Sequence, residues 1–138
     1  EARAEEQNLK GVFKAWLSST TAISADSRVT HSLAPYILVD GTEIASNYED
    51  LIDGTLTHSI SLDESGDLVA TSPHEVWTGT LTDGQGSAKG YDCDGWTTSG
   101  GDNRFGLFGR VDRTDAGWTD GGLIMNCSSA YHLYCFQQ

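Results

Sequence analysis

The chain has 138 residues and fits one domain built on one core. A formal charge of −12 at pH 7 sets it against phosphate backbones, heparin-like polymers and anionic membrane surfaces. Apolar residues make up 38%, enough for a packed interior, and no run approaches the roughly 18 apolar residues that span a bilayer.

Residues 1–17 place Leu9, Val12, Phe13, Trp16 and Leu17 at helical spacing, but Gly11 interrupts the pattern. The alternative is a helix ending near Lys10 and a strand over 12–18. Residues 20–34 are polar and loop-like. Pro35–Val39 reads as a buried strand closed by an Asp40-Gly41 turn. Ser46 and Glu49 form a capping box at the start of a short helix. Ile44, Tyr48, Leu51 and Ile52 share one face of it, and Gly54 is placed to end it. Ile60 and Leu62 alternate with serines, as in a half-buried strand. Glu75–Gly79 is a further strand. Residues 80–122 are rich in Gly, Asp, Thr and Ser and read mostly as loops. Ala130–Phe136 is apolar on both faces and predicts a central strand. Five Asp-Gly pairs (40–41, 53–54, 83–84, 94–95 and 120–121) mark tight turns, because Gly accepts positive φ and Asp bonds nearby backbone.

The cysteines are Cys93, Cys127 and Cys135. They form no CxxC, and no His stands at metal-ligand spacing, so a zinc knuckle is not expected and no metal ligand is assigned. An odd count in a secreted-looking chain leaves one cysteine free or parted from its partner.

Four segments occur in order: Phe13-Lys14-Ala15-Trp16-Leu17-Ser18-Ser19, Val76-Trp77-Thr78-Gly79, Cys93-Asp94-Gly95-Trp96-Thr97, and Cys127 followed by Leu133-Tyr134-Cys135. This set resembles the bacterial endostatin-like domains of leptospiral surface proteins. It is similar, more distantly, to the endostatin domain of vertebrate collagens. The resemblance covers nearly the whole chain. It implies an α+β, C-type-lectin-like fold over 1–138, with a twisted, mostly antiparallel sheet, two helices and a long loop region. It implies that residues 12–18 are strand. It also implies a Cys93–Cys127 bridge, and a partner for Cys135 in the N-terminal helix, at a position just upstream of Glu1. On this reading the chain is the C-terminal part of a longer secreted or cell-surface protein. The zinc histidines and basic heparan-sulfate patches of vertebrate endostatin are absent, as are the calcium and sugar motifs of true C-type lectins.

No nucleophile–base motif accompanies His31, His58, His74 or His132, so an enzyme is not expected. The segment between Cys93 and Cys127 is the expected binding region, since loops on a rigid scaffold commonly carry recognition. Trp118 is the leading contact, with Arg104, Arg110, Asp115 and Asp120 beside it, because Trp and Arg are frequent hot-spot residues. Trp77 and Trp96 are expected in the core. No cofactor is expected. Calcium is the one ion that the loop aspartates Asp92, Asp94, Asp102, Asp112, Asp115 and Asp120 have the oxygen chemistry to take. The function these readings imply is an extracellular adhesion module for a host or cell-surface protein or glycan, with no nucleic acid and no membrane insertion. The alternative is a structural domain capping an oligomeric surface fibre, with homo-oligomers formed through a neighbouring domain.

Overall fold

Short helices and small antiparallel sheets alternate along the chain in the computed structural model, which describes residues 2–19, 23–69, 72–100 and 103–138. The helices are α1 (Ala2–Glu6), α2 (Ala25–Arg28), α3 (Tyr48–Leu51) and α4 (Cys93–Trp96). The strands are β1 (Phe13–Ala15), β2 (Tyr36–Ile37), β3 (Glu43–Ala45), β4 (Glu75–Trp77), β5 (Phe105–Arg110), β6 (Ile124–Asn126) and β7 (Cys135–Gln137). β1 pairs with β7, β2 with β3, and β4, β5 and β6 form a sheet in that order. Every one of these pairings is antiparallel. The protein is thus a small α+β domain; among the described residues it has three short right-handed helices and, at Cys93–Trp96, a left-handed turn with positive φ throughout, where two helices were expected.

The N-terminal alternatives resolve in favour of a helix followed by a strand. α1 closes before Lys10, Gly11 takes φ +114°, and β1 joins the two ends of the chain through Phe13↔Gln137 and Ala15↔Cys135. That left-handed φ is one a helix cannot use and Gly reaches without strain. Around this pair the core closes: Trp16, Ile44, Leu51, Val76 and Trp118 are almost completely buried, with Tyr134 and Phe136 beside them.

A second, polar layer lies inside the same core. Ser18, Thr78, Thr80 and Thr119 are wholly buried. Trp16 Nε1 donates to Thr119 Oγ1 at 2.8 Å, Thr119 Oγ1 donates to the Thr80 carbonyl at 3.1 Å, and Thr78 Oγ1 donates to the Thr119 carbonyl at 2.6 Å. The Ser18 and Thr80 hydroxyls stand 2.9 Å apart, and Ser18 Oγ accepts the Ala25 N–H at 2.7 Å. Each buried hydroxyl therefore has a partner, which avoids the cost of about 1–3 kcal/mol for an unsatisfied buried polar group.

Several local expectations shift. The helix cap at α3 is Asn47, whose side chain accepts the Asp50 N–H, while Asp50 Oδ2 takes the Ser46 N–H. The cap thus moves on by one residue from Ser46 to Asn47, since Asn caps at least as well as Ser, and the carboxylate that reaches back binds the residue before the cap and not the cap itself. Pro35–Val39 is not a buried strand: β2 has two residues, and Ile37 and Val39 are exposed. Ile60–Leu62 makes only an isolated bridge to Leu68. Ala130–Phe136 is not one central strand. Its first half makes a single bridge, His132 with Val76, and only Cys135–Gln137 forms a strand, paired on one side. The largest correction concerns residues 80–122, which hold β5, the longest strand among the described residues.

Candidate binding face

Cys93 and Cys127 are joined by a disulfide across 34 residues, with Cα atoms 5.7 Å apart. Closing a loop of that length is worth about 3–4 kcal/mol in the chain-entropy model. Gly106 permits the bridge to sit against the sheet: a Cβ there would lie 2.7 Å from the Trp77 ring and 3.1 Å from Cys93 Sγ. Beside it Cys127 N–H donates to the Arg104 carbonyl at 3.1 Å, extending the β5–β6 ladder to the bridge itself.

The bridged segment divides in two. Over residues 108–119, Phe108, Val111, Trp118 and Thr119 turn inward, while 112–116 stay exposed. Gly109 lets β5 press on the 3₁₀ turn Ala116–Trp118, since a Cβ at Gly109 would stand only 2.0 Å from the Trp118 carbonyl oxygen. Trp118 is entirely buried, 5.3 Å from the Trp16 ring and 5.7 Å from Tyr134, whose hydroxyl donates to the Trp118 carbonyl at 3.1 Å. A side chain with no exposed surface makes no contact with an outside ligand. The expectation that Trp118 is a binding residue is therefore overturned: it is core. Trp77 is buried as expected. Trp96 is half-buried, and its Nε1 donates to the Ser18 carbonyl at 2.7 Å.

The polar residues grouped with Trp118 do not converge. Arg104 stands just before β5 and Arg110 at its far end, about 20 Å apart at roughly 3.3 Å per residue. Each is held by its own carboxylate. Arg104 pairs with Asp94 at 3.0 Å, while Arg110 clasps Asp112 through Nε at 2.9 Å and Nη2 at 2.8 Å, with Glu75 at 3.4 Å. Arg113 pairs with Asp115. The Arg110 fork holds the Asp112 carboxyl down at about 2, against the partial desolvation that would raise it. Hydrogen bonds from Arg113 and from the Gly117 N–H likewise lower Asp115, which caps the 3₁₀ turn. Asp120 Oδ1 accepts the Gly122 N–H at 3.0 Å. Asp115 and Asp120 thus serve turns. Asp102 lies outside the described residues. Among the described residues no group of three or more His, Cys, Asp or Glu stands together as a metal site.

Residues 123–126 turn outward. β6 is the edge of its sheet, and Leu123, Ile124 and Met125 are 65%, 36% and 39% exposed. Phe105 on the neighbouring strand, opposite Asn126, is 37% exposed. These four side chains are the apolar surface that the bridged segment presents. Leu123, Ile124 and Met125 escaped the sequence reading because consecutive aliphatic residues read as interior. The available signal was their position between Gly121-Gly122 and a cysteine, where a turn and a bridge leave room for only a short edge strand.

No protein-family model matches this chain, and none of the curated proteins searched does. Among the described residues no helix is long and apolar enough to cross a membrane.

Proposed function

We propose that the protein is an extracellular recognition module of the endostatin-like, C-type-lectin-like kind, secreted or displayed on a cell surface, that binds a host or cell-surface protein or glycan and catalyses nothing. The observation that carries this reading is the apolar edge formed by Leu123, Ile124, Met125 and Phe105, held to a rigid sheet by the Cys93–Cys127 bridge. Leu123 and Met125 lie on one face of this edge and Ile124 and Phe105 on the other, and exposed apolar side chains gathered at one sheet edge of a strongly acidic protein are costly in water and mark an interaction surface. The bridge also limits the ordering entropy that binding must overcome, and it fits an oxidising compartment. An apolar edge favours a protein partner over a glycan.

The same edge supports a second reading, an assembly domain of a surface fibre, because an uncovered strand is a template for another copy. The test is a solid-phase screen against extracellular-matrix proteins and glycans, comparing the wild type with a Leu123→Ser, Ile124→Thr, Met125→Ser triple variant. A tenfold or greater loss of binding at unchanged melting temperature supports recognition through this face. Equal binding by the two proteins places the site elsewhere. Concentration-dependent trimers in sedimentation, abolished by the triple variant, favour assembly.

A further inference from the structure

We infer that the groove between the outer edge of β1 and helix α2 docks an extended acidic peptide segment of another protein, which adds as a strand beside β1. This surface is separate from the β6 edge, and the inference stands independently of the reading above. Among the described residues β1 has one neighbour, β7. Trp16 N–H bonds to the Tyr134 carbonyl, and the Gln138 N–H to the Val12 carbonyl. In an antiparallel ladder residues of one parity face the partner strand. Residues 12, 14 and 16 therefore face β7, and the N–H and C=O groups of Phe13 and Ala15 point away from it, with no other partner among the described residues. That free edge opens on a groove of about 530 Å³ lined by Phe13, Lys14, Ala15, Ile23, Ser27 and Arg28. A strand edge facing a helix across an open groove is the arrangement in which β-strand addition recognises peptides.

Charge decides which peptide. The chain carries 8 Lys and Arg against 20 Asp and Glu, and Arg104, Arg110 and Arg113 are each matched with a carboxylate. The two cations of the groove are not. Lys14 Nζ donates to the Arg28 carbonyl at 2.8 Å, which brings the ammonium to the end of α2, and neither Lys14 nor Arg28 has an ion-pair partner among the described residues. Arg28 Nε is buried without a hydrogen-bond partner. Asp26, the carboxylate on α2, is engaged elsewhere, accepting from Tyr48 Oη at 2.8 Å and standing 3.2 Å from His31 Nε2. An incoming carboxylate would satisfy both cations while its backbone satisfies Phe13 and Ala15. The acidic remainder of the surface opposes this weakly, because charges beyond about 8 Å are largely screened at physiological salt.

The test uses the 138-residue chain and two fluorescent eight-residue probes, one alternating valine with glutamate and one alternating valine with lysine. The glutamate peptide is expected to bind saturably and to slow amide exchange at Phe13 and Ala15. The lysine peptide is expected to bind at least tenfold more weakly. Lys14→Gln and Arg28→Gln should each weaken the glutamate peptide several-fold. Ala15→Pro removes an outward N–H that an edge strand can spare and should abolish binding in a protein whose circular dichroism matches the wild type. If that variant does not fold, the exchange data and the two charge variants decide. Equal affinity for both peptides, or no saturable binding of either, overturns the inference. So does binding without protection of Phe13 and Ala15, or displacement by free glutarate at equal concentration, which would describe a small-anion site instead.

Discussion

Two stretches of one disulfide-closed segment meet opposite fates. Residues 108–119 run from a strand into a 3₁₀ turn and drive Trp118 into the core, while residues 123–126 form an edge strand with three aliphatic side chains in water. By residue type the assignment would be reversed, since Trp is a frequent hot-spot residue and Leu is under-represented there. What decides is the glycine pattern. Gly109 lets the backbone of the 3₁₀ turn approach β5 more closely than any Cβ allows, and the Trp that follows has nowhere to go but inward. Among the described residues β6 has no strand beyond it, and its side chains are only partly covered.

If the inner stretch is core, Trp118→Ala should be the most damaging single change among these residues. It removes packing against Trp16 and Tyr134, and large-to-small substitution of a buried Trp costs about 3–5 kcal/mol. Denaturant unfolding followed by Trp fluorescence measures it. A loss below about 1 kcal/mol would mean that Trp118 is not the packing centre described here. Gly109→Ala probes the same contact from the other side and should cost about 1–3 kcal/mol or more through overpacking.

The bridge ties the two stretches together, so its removal tests whether they depend on each other. The double variant Cys93→Ala, Cys127→Ala should lose about 3–4 kcal/mol, the value for a loop of this length. Mass spectrometry under non-reducing conditions should find Cys135 as the free thiol in the wild type, consistent with its exposed, unbridged position. Alkylation of Cys93 and Cys127 in the unreduced protein would contradict both the pairing and the compartment.

The outer stretch should behave oppositely. Leu123→Ser, the most exposed of the three at 65%, should change stability by no more than about 0.5 kcal/mol, as surface substitutions do. The same change should weaken whatever partner the β6 face takes. A large stability loss with Leu123→Ser would make the edge part of the core and remove the basis for the recognition reading.

What the sequence made legible follows from where local chemistry suffices. Of the five Asp-Gly pairs, those at 40–41, 53–54, 83–84 and 94–95 place their glycine at positive φ. Asp40, Asp53, Asp83 and Asp120 each accept the N–H two residues on, as the side-chain reach of Asp dictates. The helix at 48–51 was readable to within one residue. For β1 the residues left helix and strand open; strand over 12–18 came from the resemblance, and the strand itself is shorter, Phe13–Ala15. The Cys93–Cys127 pairing came only from a resemblance to known domains, since spacing alone leaves three possible pairs. The site was the least legible part. Arg104, Arg110, Asp115 and Asp120 looked like a cluster because they are near in sequence, but the length of β5 separates the two arginines and nearby carboxylates neutralise them. Whether a Trp faces in or out depends on the backbone of a neighbouring strand, which no window around Trp118 contains.

A comparably small effect concerns the ion pair that closes the inner stretch. Arg110 holds Asp112 in a two-pronged grip, with His74 Nδ1 3.7 Å away, and the Asp112 carboxyl titrates at about 2 in place of 3.8. A carboxyl depressed on folding contributes stability that is fully present above the unfolded value and is lost as pH falls through the folded one. Asp112 should therefore support the fold fully above about pH 4 and lose that contribution as pH falls through about 2. Its side chain is 42% exposed and that of Arg110 41%, so solvent screening keeps the contribution within the range of a surface pair, about 0.2–1 kcal/mol. Asp112→Asn should lower the melting temperature slightly at neutral pH, and the difference from the wild type should shrink below about pH 4 and vanish only well below pH 2, where the wild-type carboxyl is itself largely protonated. A difference that persists unchanged at that pH would show that the amide disturbs the 110–113 turn by shape and not by charge. The grip on Arg110 would then be incidental to the inward course of this stretch, and the close approach at Gly109 would be its main determinant.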